Sequence, residues 1–399
     1  MSRSYDVILA GLGAMGSATA FHLAGRGLRV LALDRHRPPH PLGSTHGGTR
    51  IIRETSFEHP RYVPLVRRAY ECWRRIEAAT GRSLLHITGG LFVGAAGGPF
   101  VAKSKESADI HGVPYELLSP AEIRRRFPAF QPADETVGFY EPGAGILGPE
   151  ACVQACLDYA AARGVELRFD EPIEDWKADG DGVAVVTPRG RYTAAKLLLA
   201  TGAWMLAPLA ELGIRVAVER VVMHWFAPGG GGDPASFDRE RCPLALWEFG
   251  PPPQAAFASF PIAAGEIKTA IHHGGEPTTA ATVRRDVAAA EVEGMRRLLA
   301  RFLPGARGPH RRSAVCLYTN TADGDFLIDV HPEHRQVLLA SPCSGFGFKF
   351  ASAIGELLAE LLMEGKTGWD LKPFGIDRLT SPVRGTPPTA GPRGPSRPG

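Results

Sequence analysis

The amino-acid sequence predicts a mixed α/β (α+β) fold in which a parallel-sheet domain is interleaved with a second, sheet-based domain. Three observations predict this fold. A strand, a glycine-rich turn, a helix and a second strand follow one another within the first 35 residues. Apolar runs of the same kind return in the middle of the chain and near its end. The segments between them are richer in extended runs, Pro and Gly.

These blocks divide the 399 residues into two predicted domains and a tail, which is ordinary for a chain of this length. The parallel-sheet domain is discontinuous and takes residues 1–85, 151–215 and 316–380. The sheet-based domain takes residues 86–150 and 216–315. Residues 381–399 are mostly Pro, Gly, Arg and Ser, so they have too little apolar surface to offset the entropy of ordering. We expect this tail to be disordered.

The composition is that of an ordinary globular protein, with 44% hydrophobic and 22% charged residues. Lys and Arg number 45 against 42 Asp and Glu, and this net charge of +3 is too small for a nucleic-acid-binding protein without a basic run. No segment is long and apolar enough for a membrane span, and Asp6 interrupts the N-terminal run that a signal peptide needs. We therefore expect a cytoplasmic protein with neither nucleic acid nor membrane as a partner.

Six cysteines are scattered without paired spacing, so we expect free thiols in a reducing compartment. Cys152 and Cys156 lie four residues apart on a helical pattern, and no further His or Cys completes a metal site around them. We interpret both as core thiols and predict no metal.

The first strand, at residues 6–10, is a short apolar run of the kind that parallel sheets bury. It leads into Gly11-Leu-Gly13-Ala-Met-Gly16 and a helical pattern, and a second apolar run ends at Asp34. In this spacing the first glycine makes the tight turn, the second lets a pyrophosphate approach the backbone, and the third lets the helix pack on the strand. Asp34 would accept from ribose hydroxyls, which argues against a 2′-phosphate. The context predicts a Rossmann-like dinucleotide site.

The motif alone does not distinguish FAD from NAD. Its position at the N-terminus of a long chain favours FAD, as does a later buried strand, residues 196–200, that ends in Thr201-Gly202-Ala203. Before this strand, residues 167–169, 183–186 and 192–193 predict a small antiparallel set. Nearer the C-terminus we predict strands at 325–329 and 337–340, and Gly345–Lys349 opens a long helix with one apolar face.

Four segments carry a family resemblance. They are Pro38-Pro39-His40 with Gly43–Arg53; Phe260-Pro261 with Lys268 and His272; Cys316-Leu-Tyr-Thr319 with Asp325–Asp329 and His331-Pro332; and Cys343–Phe350. In this order they resemble the monomeric sarcosine oxidase and N-methyltryptophan oxidase family over about residues 4–378. The resemblance implies an FAD-binding domain, a sheet-floored substrate domain, and a monomer that oxidises the C–N bond of a secondary amino acid.

The resemblance also implies a set of cofactor contacts. Cys316 matches the cysteine that carries FAD through a thioether to the flavin 8α carbon, and His46 and Arg50 match a pair close to the flavin ring. Such cations favour the thiolate that the attachment requires. The alternative is a buried, inert thiol. Further implied FAD contacts are Ser44, Thr49, Gly202, and the backbone N–H groups of Gly345 and Gly347 at a helix start, which would stabilise negative charge at the flavin N1–C2=O.

Arg53 and Lys349 match the two cations that hold the substrate carboxylate, by a guanidinium fork and a point charge. Lys268 matches a lysine on the other flavin face that activates O2 by lowering the cost of a superoxide anion. His272 lies four residues further along a strand and so points to the same face. The alternatives are surface cations, a strand-edge lysine and a structural histidine.

The chain departs from the family pattern at three positions. Ala258 stands where members with small substrates carry Tyr, Phe346 stands in place of His, and Gly48 replaces Asp. The first two changes remove polar groups from the pocket wall. They predict the same redox chemistry on a larger or more apolar substrate than sarcosine.

The sequence thus predicts an FAD-dependent oxidase of an N-alkyl or cyclic secondary amino acid that yields an imine and hydrogen peroxide. Its small-molecule partners would be the amino acid and O2. Two alternatives stay open, a flavin dehydrogenase that uses another electron acceptor and a protein that binds FAD without catalysis. A flavin monooxygenase would need NAD(P)H, and no second nucleotide motif is found.

Overall fold

A computed structural model describes residues 3–250 and 256–380 of the chain. In these residues the chain forms twenty strands, which in order are β1 (Arg3–Ala10), β2 (Val30–Leu33), β3 (Arg50–Ile52), β4 (Leu85–Ile87), β5 (Gly90–Ala95), β6 (Glu116–Leu118), β7 (Thr136–Glu141), β8 (Gly145–Leu147), β9 (Glu166–Arg168), β10 (Asp175–Asp179), β11 (Gly182–Thr187), β12 (Gly190–Leu199), β13 (Val216–Phe226), β14 (Leu244–Glu248), β15 (Ala256–Ser259), β16 (Ile267–His272), β17 (Pro277–Thr278), β18 (His310–Thr321), β19 (Leu327–Val330) and β20 (Val337–Ser341).

The same residues form nine α-helices, which in order are α1 (Ala14–Leu23), α2 (Val63–Thr80), α3 (Pro99–His111), α4 (Pro120–Arg126), α5 (Pro149–Ala161), α6 (Leu206–Glu211), α7 (Ala289–Phe302), α8 (Ala351–Glu364) and α9 (Asp377–Thr380). None of these helices is long and apolar enough to cross a membrane. The predicted disordered tail, 381–399, lies outside the described residues.

The first sheet has eight strands, and its parallel core runs in the order β9-β2-β1-β12-β20. The antiparallel β19 closes one side. The long strand β12 pairs with β11 along its first half and with β20 along its second. Because the core strands are parallel, Ala10, Leu33 and Leu199 end at one edge. Ligands of open α/β sheets bind at this carboxyl edge.

The predicted α/β fold class is confirmed, and two local expectations need correction. Residues 167–168 lie in β9, which pairs in parallel with β2 and so belongs to the core sheet rather than to an antiparallel set. Residues 192–193 and 196–199 belong to one unbroken strand, β12, because neighbours on both edges hold its whole length.

Helix α1 packs between the first sheet and helices α5 and α8. Close backbone approach is built into this layer. A Cβ at Gly16 would come within 1.8 Å of the Gly11 carbonyl oxygen, and a Cβ at Gly355 in α8 would come within 2.6 Å of Ala18 in α1. The opposite face of the sheet packs its own apolar cluster, which includes Ile8, Leu31 and Leu197.

The second sheet has nine strands in the order β17-β13-β16-β15-β14-β5-β7-β6, with β18 paired to β13 along its length. Helices α4 and α7 contribute to the apolar cluster on one face, which includes Trp247 and Phe257. The other face carries a row of directly paired residues, Leu246, Ala258, Ala270 and Met223. This row lies towards the first sheet and forms part of the cavity wall described below.

A third sheet of three short strands, β3-β8-β4, carries Arg50 on β3. The strands of the first sheet come from residues 3–33, 166–199 and 327–341. Strand β18 crosses residue 315, where we placed a boundary between the predicted domains. The division into domains stays a prediction.

Candidate active site

A cavity of about 960 Å³ lies between the carboxyl edge of the first sheet and one face of the second. Its volume is within the range of small-molecule and cofactor sites, which is about 300–1,000 Å³. Of the residues predicted from the sequence as site residues, all line this cavity except Gly16, His46 and Thr49. The fold thus brings together side chains that are up to some 300 positions apart in the chain.

The glycine motif forms the turn between β1 and α1. Gly11 has a φ of +90°, which only glycine adopts readily. Gly13 is the N-cap of α1, and a Cβ there would meet only the Thr45 hydroxyl, at 3.6 Å, so its outer side is open towards the cavity. The start of α1 therefore presents free backbone N–H groups and a positive dipole end to the cavity.

Asp34 is buried at the end of β2 and lines the cavity. Its Oδ2 accepts from the backbone N–H of Leu12 at 2.7 Å, and its Oδ1 accepts from that of His36 at 2.8 Å. Each oxygen keeps a second lone pair. These two hydrogen bonds fix the carboxylate beside the glycine turn, where it could accept hydrogen bonds from ribose hydroxyls.

The loop before β3 gathers the groups that the resemblance assigns to the flavin ring. The Arg50 guanidinium donates through Nη2 to the Ser44 carbonyl at 2.8 Å, and the same nitrogen lies 3.5 Å from Cys316 Sγ. Cys316 is buried, and the Ser44 hydroxyl donates to the Leu317 carbonyl at 2.6 Å. His46 is buried, and burial together with Arg50 lowers its pKa to about 4, so the ring is neutral near pH 7.

Strand register explains why Lys268 and Cys316 share one face of the second sheet. Lys268 pairs with Trp225 on β13, and Cys316 pairs with Val221, four residues earlier on the same strand. Side chains four apart on a strand point the same way. Lys268 is buried, and its Nζ donates to the Thr49 carbonyl at 2.7 Å. Burial, reinforced by Arg50, lowers the pKa of Lys268 well below its usual value.

His272 lies on β16 with Lys268 and lines the cavity, as the strand pattern predicted. Its Nδ1 is 3.3 Å from the Tyr318 hydroxyl. Burial, with the neighbouring His273, lowers the pKa of His272 to about 3. Burial raises the pKa of Tyr318. This pair is therefore a neutral hydrogen-bonding wall at physiological pH.

Arg53 is buried and engaged by a carboxylate of the chain itself. Its Nη2 donates to both oxygens of Glu58, at 2.9 and 2.8 Å, and its Nη1 donates to the Thr55 carbonyl. The guanidinium also lies 4.2 Å from the centre of the Phe57 ring. Burial opposes ionisation of Glu58, but Arg53 and Lys349 outweigh it and lower the pKa of Glu58 to about 2.

Lys349 is buried at the start of the C-terminal helical segment. Its Nζ donates to the Phe346 carbonyl at 3.1 Å and lies 4.7 Å from the centre of the Phe350 ring. Burial lowers the pKa of Lys349 to about 7, against the pull of Glu58. This ammonium therefore changes charge within the physiological pH range.

The segment before α8 approaches the cavity through its backbone. Gly345 has a φ of +80°, and a Cβ there would come within 2.8 Å of the Tyr318 ring. A Cβ at Gly347 would come within 1.8 Å of the Pro342 carbonyl oxygen. Residues 347–350 form a 3₁₀ turn that continues into α8. The α-helix itself therefore begins at Ala351, six residues after Gly345, where the sequence pattern placed its start. Gly202, with a φ of +57°, borders the cavity after β12.

The two predicted pocket residues differ in what surrounds them. Ala258 lies between Leu246 and Ala270 in the row on the second sheet, so two adjacent small side chains face the cavity here. Phe346 lines the cavity, but its ring stacks on Phe326, with centres 4.8 Å apart, within a larger aromatic cluster.

Two carboxylates close to the predicted site residues, Glu58 and Glu150, were not predicted from the sequence. Glu58 lies only five residues after Arg53, and an acidic residue so close to a predicted carboxylate-binding cation was a usable signal. Glu150 accepts from the backbone N–H groups of Gly47 and Gly48, about one hundred positions away. Only the fold reveals that contact.

The residues around the cavity fit FAD. Several buried polar atoms have no hydrogen-bond partner within the described residues. Those beside the cavity or in the loop before β3 include His46 Nε2, Thr49 Oγ1, Glu171 Oε2, Thr201 Oγ1 and Thr319 Oγ1. Buried polar groups are almost always paired, so such atoms point to a missing ligand. The glycine turn at the start of α1 suits a pyrophosphate, and the cavity extends from there to Arg53 and Lys349.

Comparisons with known proteins agree with this assignment. The profile of the FAD dependent oxidoreductase family (DAO) matches residues 6–361. A monomeric sarcosine oxidase of Streptomyces avermitilis is 41% identical over 96% of this chain and 99% of its own length. An N-methyl-L-tryptophan oxidase of Citrobacter koseri is 33% identical over 94% of this chain and 99% of its own length.

A solved structure of NikD, an unusual amino acid oxidase essential for nikkomycin biosynthesis, matches 94% of this chain and 98% of its own, with a TM-score of 0.83 and 26% identity. The resemblance inferred from the four sequence segments is thereby confirmed. The chain belongs to the family of FAD-dependent oxidoreductases, among the relatives of monomeric sarcosine oxidase and N-methyl-L-tryptophan oxidase.

Proposed function

We propose that this protein oxidises the C–N bond of an N-alkyl or cyclic secondary amino acid and passes the electrons to O2, giving an imine and hydrogen peroxide. The observation that carries the proposal is the buried Arg53, which already holds a carboxylate inside the cavity. A buried guanidinium that already binds a carboxylate of the chain could bind the carboxylate of a substrate in the same way.

The substrate carboxylate would replace Glu58 on the Arg53 guanidinium. Both are carboxylates, so Arg53 stays paired in the exchange. The displaced Glu58, whose side chain is 15% exposed, keeps the Ser56 hydroxyl as a donor. Lys349 adds a point charge nearby, since it acts on Glu58 as well. Once the carboxylate is fixed, the rest of the amino acid can lie only along the remaining cavity, next to Ala258 and His272.

Bound at the glycine turn and Asp34, FAD would supply the two-electron redox chemistry that links oxidation of the amine to reduction of O2. Side chains in the cavity wall would assist both halves of this reaction. The neutral His272–Tyr318 pair lets the amine bind without placing a further positive charge beside it. The buried Lys268 amino group lies at the far side, held by the Thr49 carbonyl, and in its protonated form it would stabilise superoxide.

Cys316 is the proposed point of covalent attachment to the flavin 8α carbon. Its support is geometric, since Cys316 lines the cavity and its sulfur lies 3.5 Å from the Arg50 guanidinium. Cys343 also borders the cavity and is the natural control thiol, because burial raises its pKa to about 11.

Acid precipitation tests the attachment. Yellow colour should stay with the pellet of the wild-type protein and of Cys343→Ala, and should pass to the supernatant in Cys316→Ala. Colour released from the wild-type protein would contradict the attachment. Aerobic turnover with a secondary amino acid should form one hydrogen peroxide per amine oxidised. Turnover that needs an artificial acceptor would favour the dehydrogenase alternative.

A further inference from the structure

A carboxylate with no role in the mechanism above lies behind the loop that carries the flavin-face cations. Glu150 stands in the first turn of α5. Its Oε1 accepts from the backbone N–H of Gly47 at 2.5 Å and of Gly48 at 3.1 Å, and its Oε2 accepts from Gly48 at 3.1 Å. Two successive N–H groups thus converge on one anion, in the manner of a backbone anion nest.

The loop can adopt this shape only with glycines. Gly47 and Gly48 have φ values of +103° and +77°. A Cβ at Gly47 would also come within 2.6 Å of the Met223 sulfur, so the loop is pressed onto β13. The hydrogen bonds that Gly47 and Gly48 donate to Glu150 hold two residues whose backbone is more flexible than that of other residue types. Loss of these hydrogen bonds would therefore increase the conformational freedom of this loop more than that of a loop without glycines.

Residues just after these glycines make the contacts on which the flavin site depends. The Thr49 carbonyl accepts both from Lys268 Nζ, at 2.7 Å, and from Arg50 Nη1, at 2.8 Å. The other end of the same guanidinium lies at Cys316. A shift of the loop would therefore displace the proposed oxygen-side ammonium and the cation beside the thiol together.

Glu150 also acts through its charge. Burial lowers the pKa values of both His46 and Lys268, Arg50 lowers them further, and the Glu150 carboxylate opposes both shifts. The Glu150 carboxylate thus favours the protonated forms of His46 and Lys268 on one side of the cavity. A negative charge at this place opposes the uptake of electrons by a nearby flavin.

We infer that Glu150 is a positioning residue of the flavin site: through the Gly47–Gly48 backbone it fixes Arg50 and Lys268, and through its charge it sets how readily the bound flavin takes up electrons. This inference rests on the proposed function only in that FAD occupies the cavity. It concerns a residue that contacts neither substrate nor the reacting atoms.

The test compares Glu150→Gln, Glu150→Asp and a matched control, Glu77→Gln, in the full-length flavin-containing protein. Glu77 is a suitable control because its carboxylate also accepts from two successive backbone N–H groups, those of Leu84 and Leu85, outside the cavity. Two properties are measured, the reduction potential of the bound flavin and the rate at which apoprotein incorporates FAD. We expect Glu150→Gln to raise the potential, because a negative charge is removed. We also expect it to slow incorporation, because the amide offers one acceptor oxygen where the carboxylate offers two.

The aspartate variant separates the two effects and covers the case in which Glu150→Gln does not fold. Aspartate keeps the charge but is one methylene shorter, so we expect a wild-type potential with slowed incorporation, while Glu77→Gln matches the wild-type protein in both. A wild-type potential in Glu150→Gln, or wild-type incorporation in Glu150→Asp, would overturn the inference. Failure of the proposed function would appear instead in the wild-type protein, as a bound flavin that no secondary amine reduces.

Discussion

At the scale of single residues, the cavity is governed by how buried charges are paired. Arg53 and Glu58 satisfy one another, whereas Lys349 lies among aromatic rings with one carbonyl partner. A buried ammonium without a direct carboxylate partner loses its proton more easily. Substrate binding in this cavity should therefore depend on pH through Lys349 rather than through Arg53.

Burial lowers the pKa of Lys349 to about 7, so this group loses its positive charge as the pH rises above that value. We expect the Kd of a simple carboxylic acid that lacks an amine to be lowest below pH 7 and to rise by up to about tenfold per pH unit above it. Perturbation of the flavin absorbance measures the Kd. In Lys349→Met binding should be weaker and the slope above pH 7 should disappear. A slope that persists in this variant would assign the titration to another group.

Lys268 should affect the oxidative half of the reaction alone. In Lys268→Met we expect the rate of reaction with O2 to fall on the order of a hundredfold, because one fixed electrostatic donor is removed. Anaerobic reduction by the amine should change much less. Stopped-flow absorbance follows the two half-reactions separately. Lys105→Met, which removes an exposed lysine paired with Asp109, serves as the control. Equal loss in both half-reactions would contradict this role.

Ala258 should set the size of the accepted substrate. A tyrosine there would extend into the cavity, where Ala258 and Ala270 present only small side chains. We expect Ala258→Tyr to lower kcat/KM for a bulky N-methyl amino acid by about tenfold or more, while kcat/KM for sarcosine is unchanged or higher. A parallel loss for both substrates would indicate a general packing defect instead.

At the scale of elements, the contact of α1 with α8 fixes the glycine turn at the cavity. Gly355 in α8 lies against Ala18 in α1, where an added Cβ would come within 2.6 Å. We expect Gly355→Ala to destabilise the protein by about 1–3 kcal/mol through overpacking.

Gly294 in α7 offers the matched control, since the nearest atom to a Cβ there is a flexible arginine nitrogen at 3.8 Å. Gly294→Ala should therefore stabilise the protein by up to about 1 kcal/mol, because alanine favours the helix. Urea unfolding of both variants measures the difference. If Gly355→Ala has the same free energy of unfolding as the wild-type protein, the two helices can move apart without a cost in stability.

At the scale of the whole molecule, neutral buried histidines couple the fold to pH. His22 lies on α1 and faces α8, and His224 lies on β13. Burial lowers the pKa of each histidine to about 4. In the unfolded chain both titrate near 6.5, so the unfolded state binds more protons between pH 6.5 and 4. The free energy of unfolding therefore falls as the pH drops through this window.

A shift of one pKa unit corresponds to about 1.4 kcal/mol. The lowered pKa of His22 should therefore reduce the free energy of unfolding by on the order of 3 kcal/mol between pH 7 and pH 4. Urea midpoints measured from pH 7 to pH 4 should fall in the wild-type protein and fall less steeply in His22→Gln. His111→Gln, at the end of α3, is the control. An identical pH slope in His22→Gln would show that His22 is not a source of the linkage.

Features that depend on neighbouring residues can be predicted from the sequence, whereas features that depend on distant residues cannot. The glycine turn, Asp34 and the strands that flank them follow from short-range rules of backbone conformation and spacing. The parallel pairing of β9 with β2 was missed because a three-residue strand carries no signal of its partner. Partners of edge strands are chosen by the whole sheet.

The site shows the same division. Lys268, His272 and Cys316 were predicted to meet, and they line one cavity. Glu58 and Glu150 were not predicted, because a carboxylate on a loop or at a helix start looks like any surface acid until the fold supplies its donors. Buried charge pairs of this kind are a property of tertiary structure rather than of spacing.

Oxidation of a secondary amino acid by the bound flavin can be observed by anaerobic titration of the purified yellow protein with such amino acids, followed by addition of O2. The panel should include sarcosine, proline and N-methylated aromatic amino acids. The account predicts that at least one larger secondary amino acid bleaches the flavin absorbance near 450 nm faster than sarcosine does, and that O2 restores it with one equivalent of hydrogen peroxide. A flavin that no member of the panel bleaches, or one that bleaches but is not restored by O2, would contradict the account.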